Sequence, residues 1–141
     1  VTSERHHTVR MKNQLLKTAD QMSAHIAKSD AIILDARPAG RFAGSEPEPR
    51  TGLKSGHMPG SVNIPATSLV DSKGRLKSAG ELKPVFAEMT DKSDIIATCG
   101  SGVSAAIILL ALHRLGRDDV ALYDGSWTEW ASLEGSEIHT A

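Results

Sequence analysis

The sequence predicts a single α/β domain built on a central parallel sheet with helices on both faces. Three observations carry that expectation. Short apolar runs rich in isoleucine and valine alternate along the chain with stretches of helical period, and strands that alternate with helices build a parallel sheet covered on both sides. The length, 141 residues, fits one domain and leaves no room for two ordinary ones. One apolar run, residues 95–98, leads directly into Cys99, two glycines and another helical stretch. That order suits an open α/β sheet, whose ligands gather at the carboxyl ends of its strands.

The elements follow in turn. Met11, Leu15, Leu16, Ala19, Met22 and Ile26 recur at steps of three and four, so residues 11–26 are expected to form an amphipathic helix. Residues 31–34 are a short isoleucine-containing run that reads as a buried strand, closed by the polar Asp35 and Arg37. Residues 37–60 are interrupted by Pro38, Gly40, Gly44, Pro47, Pro49, Gly52, Gly56, Pro59 and Gly60 and form a long connection. A segment of that length inside a small domain is more often functional than idle. Residues 61–64 give a brief strand stopped by Pro65. Ser78 and Glu81 have the spacing of a capping box, and Leu82, Val85, Phe86 and Met89 continue it with helical period. After the strand at 95–98, residues 103–115 read as an apolar helix with Gly116 as its C-cap. Residues 120–123 are a last strand. Ser126 and Glu129 make a second capping box opening a helix that carries Trp127, Trp130 and Ala131. The expected organisation is a linker or disordered segment at 1–7, the domain at 8–134, and a tail at 135–141.

Composition narrows the function classes. Hydrophobic residues make up 40% and charged residues 23%, which supports a buried core rather than disorder. Sixteen basic against seventeen acidic residues leave a net charge of −1, so no basic excess points to nucleic acid. The longest apolar run is too short to span a bilayer, so no membrane partner is expected. A single cysteine excludes an internal disulfide and a Cys-rich zinc site, and the six histidines lack metal-ligand spacing. No metal or cofactor is implied. A reducing compartment, cytoplasmic with a mitochondrial alternative, is the expected location.

The lone cysteine is either inert filler or a nucleophile. Its position argues for the second. A thiol between a strand end and a helix start faces unpaired backbone N–H groups and the positive end of the helix dipole, both of which favour the thiolate. Gly100 and Gly102 allow the loop to curl so that several N–H groups point at one anion.

Four segments in register carry a resemblance. They are Asp35-Ala-Arg37, Gly56-His-Met-Pro-Gly-Ser-Val-Asn-Ile-Pro65, Cys99-Gly-Ser-Gly-Val-Ser104 and Tyr123-Asp-Gly-Ser-Trp-Thr-Glu-Trp130. Together they resemble the rhodanese superfamily. Gly40-Arg-Phe42, Glu46-Pro-Glu-Pro-Arg50 and the Cys-Gly-Ser-Gly-Val loop are similar to the C-terminal catalytic domain of 3-mercaptopyruvate sulfurtransferases. The resemblance implies a rhodanese-like domain in which Cys99 takes sulfur from 3-mercaptopyruvate, becomes a persulfide, and passes the outer sulfur to a thiol such as thioredoxin, or to cyanide. The thiosulfate-preferring branch more often carries basic residues just after the cysteine, where this chain has Gly100 and Ser101. The family's two-domain members imply a partner N-terminal domain absent from this chain, and poor turnover without it.

The same resemblance assigns further residues. It implies that the N–H groups around the sulfur come from Gly100, Ser101, Gly102, Val103 and Ser104. Arg41 and Arg50 are expected to clamp a donor carboxylate through paired guanidinium donors. Ser101 is either a proton relay beside the sulfur or a plain polar loop residue. His57 is expected to shape a turn rather than act as a base, Asp35 and Arg37 to form a structural ion pair, and Trp127 and Trp130 to pack in the core. His6, His7 and His139 are assigned no role. Two other readings are set aside. A phosphatase on this fold needs an arginine six or seven residues after the cysteine, where Ala105 and Ala106 stand, and a binding-only module would have lost Cys99.

Overall fold

In a computed structural model, residues 8–89 and 94–141 are described. The expected linker at 1–7, with His6 and His7, lies outside the described residues. Among the described residues five parallel strands, β1 (Leu16–Lys17), β2 (Ile32–Asp35), β3 (Val62–Asn63), β4 (Ile95–Thr98) and β5 (Ala121–Tyr123), form one sheet in the order β1-β5-β4-β2-β3. The two central strands, β2 and β4, pair over four residues, from Ile32 opposite Ile95 to Asp35 opposite Thr98. Every residue of β4 is buried. That explains why the strand reads as a continuous apolar run instead of an alternating one.

The pleat divides the core into two layers. Leu34, Ile95 and Ala97 point to one face and pack with Leu69, Leu82, Phe86, Ile108 and Leu112. Ile33 and Ile96 point to the other, against Met22, Tyr123, Trp127 and Trp130. The first face is covered by α3 (Ala79–Leu82) and α4 (Ala105–Arg114), the second by α1 (Ala19–Lys28) and α5 (Ser126–Trp130). The expected core role of both tryptophans is met: Trp127 is fully buried and Trp130 nearly so.

Three expected elements are corrected. The helix drawn from residue 11 begins only at Ala19. Thr18 caps it, its hydroxyl accepting from Gln21 N–H while the Gln21 carboxamide accepts from Thr18 N–H. Leu16 and Lys17 instead pair with Leu122 and Tyr123 as the edge strand. The apolar spacing before Thr18 therefore does not mark one helix face, and Met11 is exposed. The Ser78–Glu81 capping box forms, but α3 ends after one turn. Pro84 brings no N–H to continue the ladder, and the chain proceeds in i to i−3 turns such as Val85 N to Leu82 O and Met89 N to Phe86 O. The second capping box, Ser126 with Glu129, does not form. Glu129 instead accepts from the Tyr123 hydroxyl at 2.7 Å, and Ser126 is engaged with the strand end.

The long connection contains one short helix, α2 (Ala39–Ala43), and is held at its far end. His57 and His139 exchange backbone hydrogen bonds of 2.8 and 2.9 Å, and Ala141 N–H reaches Ala43 O. Trp130 Nε1 donates to Glu137 O, so residues 137–141 are laid across the loop. His139, assigned no role from sequence, is half of this latch, and its ring meets His57 edge-on. The His57 ring stacks on Phe42 at 4.0 Å, with Nδ1 2.9 Å from Phe42 O, the turn-shaping position expected of it.

Candidate active site

β4 delivers Cys99 to the carboxyl edge of the sheet, and the loop from Gly100 to Ser104 carries the chain into α4. The cysteine is 1% exposed. Burial pushes its thiol pKa up. The Ser104 hydroxyl and the N–H groups of Ala105, Ser101 and Gly102 outweigh that, and the thiol ends below its ordinary value. The Cys99 N–H is directed elsewhere, to Ser126 Oγ at 3.2 Å. Ser126 Oγ also accepts from the Thr98 hydroxyl and donates to Tyr123 O at 2.8 Å. Fully buried and at a φ of 53°, Ser126 fixes the backbone at Cys99.

The expected loop residues are brought together in different parts. Ser101 and Gly102 present N–H groups to the sulfur. Gly102 has a φ of +83°, and a Cβ there would meet Asp124 O at 2.7 Å. Gly100 turns its carbonyl towards Thr128, accepting from N–H at 3.0 Å and from the hydroxyl at 2.6 Å. Val103 is 77% exposed at the rim. The side chain that reaches the sulfur is Ser104, which the sequence had marked only for its backbone; the Ser101 residue is exposed.

A cleft of about 280 Å³ opens over this loop, walled by Arg37, Arg41, Glu48, Arg50, Ser101 and Ser104. Arg41 and Arg50 both line it. Arg50 is exposed and has no ion-pair partner among the described residues. Arg41 lies so close to the loop that a Cβ on Gly100 would come within 2.9 Å of its Nη2. Its guanidinium is already engaged by Glu48, with Nη2 to Oε2 at 2.5 Å and Nε to Oε1 at 3.2 Å.

Glu48 is the residue the sequence did not single out. Its carboxylate is 2% exposed and also accepts from Arg37 Nη1 at 2.9 Å. Arg37 forms the expected pair with Asp35, Nη2 to Oδ2 at 2.7 Å, both side chains being 1% exposed. Arg37 further donates to Gly56 O at 2.7 Å and lies 4.3 Å over the Trp127 ring. A chain of alternating charge, Asp35–Arg37–Glu48–Arg41, thus runs from the end of β2 to the cleft. The repeated Glu-Pro spacing at 46–49 was the available signal, since prolines there stiffen Glu48 as well as Arg50.

Among the described residues, no cluster of His, Cys, Asp or Glu is arranged to hold a metal ion, and no helix is long and apolar enough to cross a membrane. The arrangement defines an α/β domain with a lowered-pKa cysteine at a strand end, a cradle of N–H donors around it, and a cleft with arginines at its mouth.

A rhodanese-like domain family model matches residues 18–133, and the chain belongs to that family. It is 47% identical over 120 residues to the mitochondrial thiosulfate/3-mercaptopyruvate sulfurtransferase 1 of Arabidopsis thaliana, covering 84% of this chain and 32% of that protein. With the 3-mercaptopyruvate sulfurtransferase of Escherichia coli K12 it shares 49% identity over 107 residues, covering 74% of this chain and 38% of that one. The crystal structure of Tum1 from Saccharomyces cerevisiae superposes with a TM-score of 0.78 at 33% identity, over 92% of this chain and 47% of that one. The chain therefore spans about a third of the length of the curated relatives it matches.

Proposed function

We propose that this domain is the catalytic half of a sulfurtransferase, with Cys99 as the sulfur carrier and 3-mercaptopyruvate as the preferred donor. The observation that carries the reading is the depressed thiol of Cys99 beneath a cleft that two arginines enter. The relatives named for 3-mercaptopyruvate and thiosulfate support the same chemistry.

In the first half-reaction the Cys99 thiolate attacks the donor sulfur. The donor C–S bond breaks, its electron pair stays on carbon, and the donor thiol's proton ends on that carbon, giving pyruvate and a Cys99 persulfide. Arg50, with the unengaged edge of Arg41, holds the donor carboxylate. The N–H groups of Ser101, Gly102 and Ala105 and the Ser104 hydroxyl stabilise the anionic sulfur before and after transfer, as an oxyanion hole does. In the second half-reaction a thiol such as thioredoxin, or cyanide, takes the outer sulfur and frees the thiolate. Thiosulfate is a poorer donor in this reading, because Gly100 and Ser101 add no basic side chain beside the cysteine. The need for a reduced thiol fits a cytoplasmic or mitochondrial setting.

A second reading is favoured by the length comparison. The chain spans about a third of its relatives, so a further rhodanese-like domain would complete the cleft for full turnover. One experiment addresses both readings. The folded chain is incubated with 3-mercaptopyruvate or thiosulfate and weighed intact. Loading of one sulfur, about 32 Da, reversible by thiol and absent in Cys99→Ser, is expected of covalent catalysis. Loading without multiple turnover supports the second reading; no loading from either donor refutes the assignment of Cys99.

A further inference from the structure

We infer that Glu48 is a specificity-determining residue, its buried carboxylate holding the charge of the cleft at a value that suits a monoanionic sulfur donor and disfavours a dianionic one. The inference rests on the sulfurtransferase reading above and deepens it. The formal charges of Asp35, Arg37, Glu48 and Arg41 cancel, because two carboxylates are bonded to two guanidiniums in one unbroken chain. Arg50 then supplies the cleft's one uncompensated positive charge among the described residues, and Cys99 offsets it in the thiolate form that the attack on the donor requires. A donor therefore enters a site whose formal charge is zero. 3-Mercaptopyruvate brings it to −1, and thiosulfate to −2.

Glu48 is placed to exert this effect. Its side chain is 2% exposed, so water screens its charge little, and it lines the same cleft as Arg41, Arg50 and Ser104. It also occupies the Nε and Nη2 edge of Arg41, leaving that arginine less to offer a second negative charge. Neutralising Glu48 helps both donors, but a dianion gains from the change about twice what a monoanion gains. At an effective dielectric of about 20, one unit of charge across a cleft of this size changes relative loading by about tenfold.

The test compares second-order rate constants for persulfide loading by the two donors, read by intact mass. The ratio of the two constants is independent of the folded fraction. In Glu48→Gln the ratio of 3-mercaptopyruvate to thiosulfate loading is expected to fall about tenfold. Glu48→Asp keeps the charge while shortening the reach, and is expected to retain the wild-type ratio within about threefold. Val103→Lys adds a positive charge at the exposed rim without touching the buried chain, and is expected to shift the ratio the same way as Glu48→Gln. An unchanged ratio in Glu48→Gln overturns the inference, as does an Asp variant that shifts as far as the Gln variant. If Glu48→Gln does not fold, an unchanged ratio in Val103→Lys overturns the charge count. A wild-type chain that loads from neither donor overturns the sulfurtransferase reading itself, and so separates the two failures.

Discussion

Replacing Ser104 with alanine removes a side-chain hydroxyl that lowers the Cys99 thiol while leaving the N–H groups of Ala105, Ser101 and Gly102 in place. A hydrogen bond to a charged acceptor contributes about 1.5–3 kcal/mol, and one pKa unit corresponds to about 1.4 kcal/mol. The thiol midpoint of Ser104→Ala is therefore expected to rise, and alkylation at a fixed pH below it to slow by about 10- to 100-fold. The sign follows from the direction of the native shift. The folded thiol lies below its ordinary value, so thiolate forms as pH rises through that lowered midpoint, and the substitution moves its appearance to higher pH. By linkage, the thiolate's contribution to stability is fully present above the unfolded pKa and is lost as pH falls through the folded one; the variant narrows that window. The assay is the pH profile of alkylation by iodoacetamide, followed by intact mass. With one cysteine in the chain, the adducts lost in Cys99→Ser report Cys99. A midpoint that does not move, in a variant that melts like wild type, would refute the claim that this hydroxyl stabilises the thiolate.

Other substitutions separate binding from support. Arg50→Ala is expected to slow loading by 3-mercaptopyruvate about 10- to 100-fold, through loss of a charge-assisted contact, with an unchanged melting temperature because the side chain is exposed; an unchanged loading rate would remove Arg50 from the clamp. Ser126→Ala leaves the buried Cys99 N–H without its acceptor and is expected to cost about 1–3 kcal/mol in urea unfolding. Gly56→Ala places a Cβ 2.4 Å from His139 O at a φ of +126°, and a loss exceeding about 2 kcal/mol is expected. A loss below about 0.5 kcal/mol would show that the 57–139 latch yields easily.

What could be read from the sequence was local. Residues 95–98 spell a buried strand because all four side chains are enclosed, and the cysteine and glycines that follow carry their own conformational demands. The rest depends on contacts between distant segments. Leu16 and Lys17 form a strand only because β5 lies beside them, and two residues are too few to show a period. Ser126 has the spacing of a helix cap, yet the buried N–H of Cys99 claims its hydroxyl, an obligation invisible 27 positions away. Glu48 follows the same rule: its partners Arg37 and Arg41 were both noted, but nothing in the spacing says that one carboxylate joins them.

The bridge between His57 and His139 has a consequence for the order in which the domain assembles. Its two residues lie far apart along the chain, and every strand from β3 to β5 is laid down between them. Closing so long a loop costs entropy that is recovered only once the intervening sheet exists. The sheet can therefore be complete while the wall carrying Arg41 and Glu48 is still unfastened. In the mature fold that wall is fastened twice, by this bridge at its far end and by the Arg37–Glu48 pair beside the end of β2.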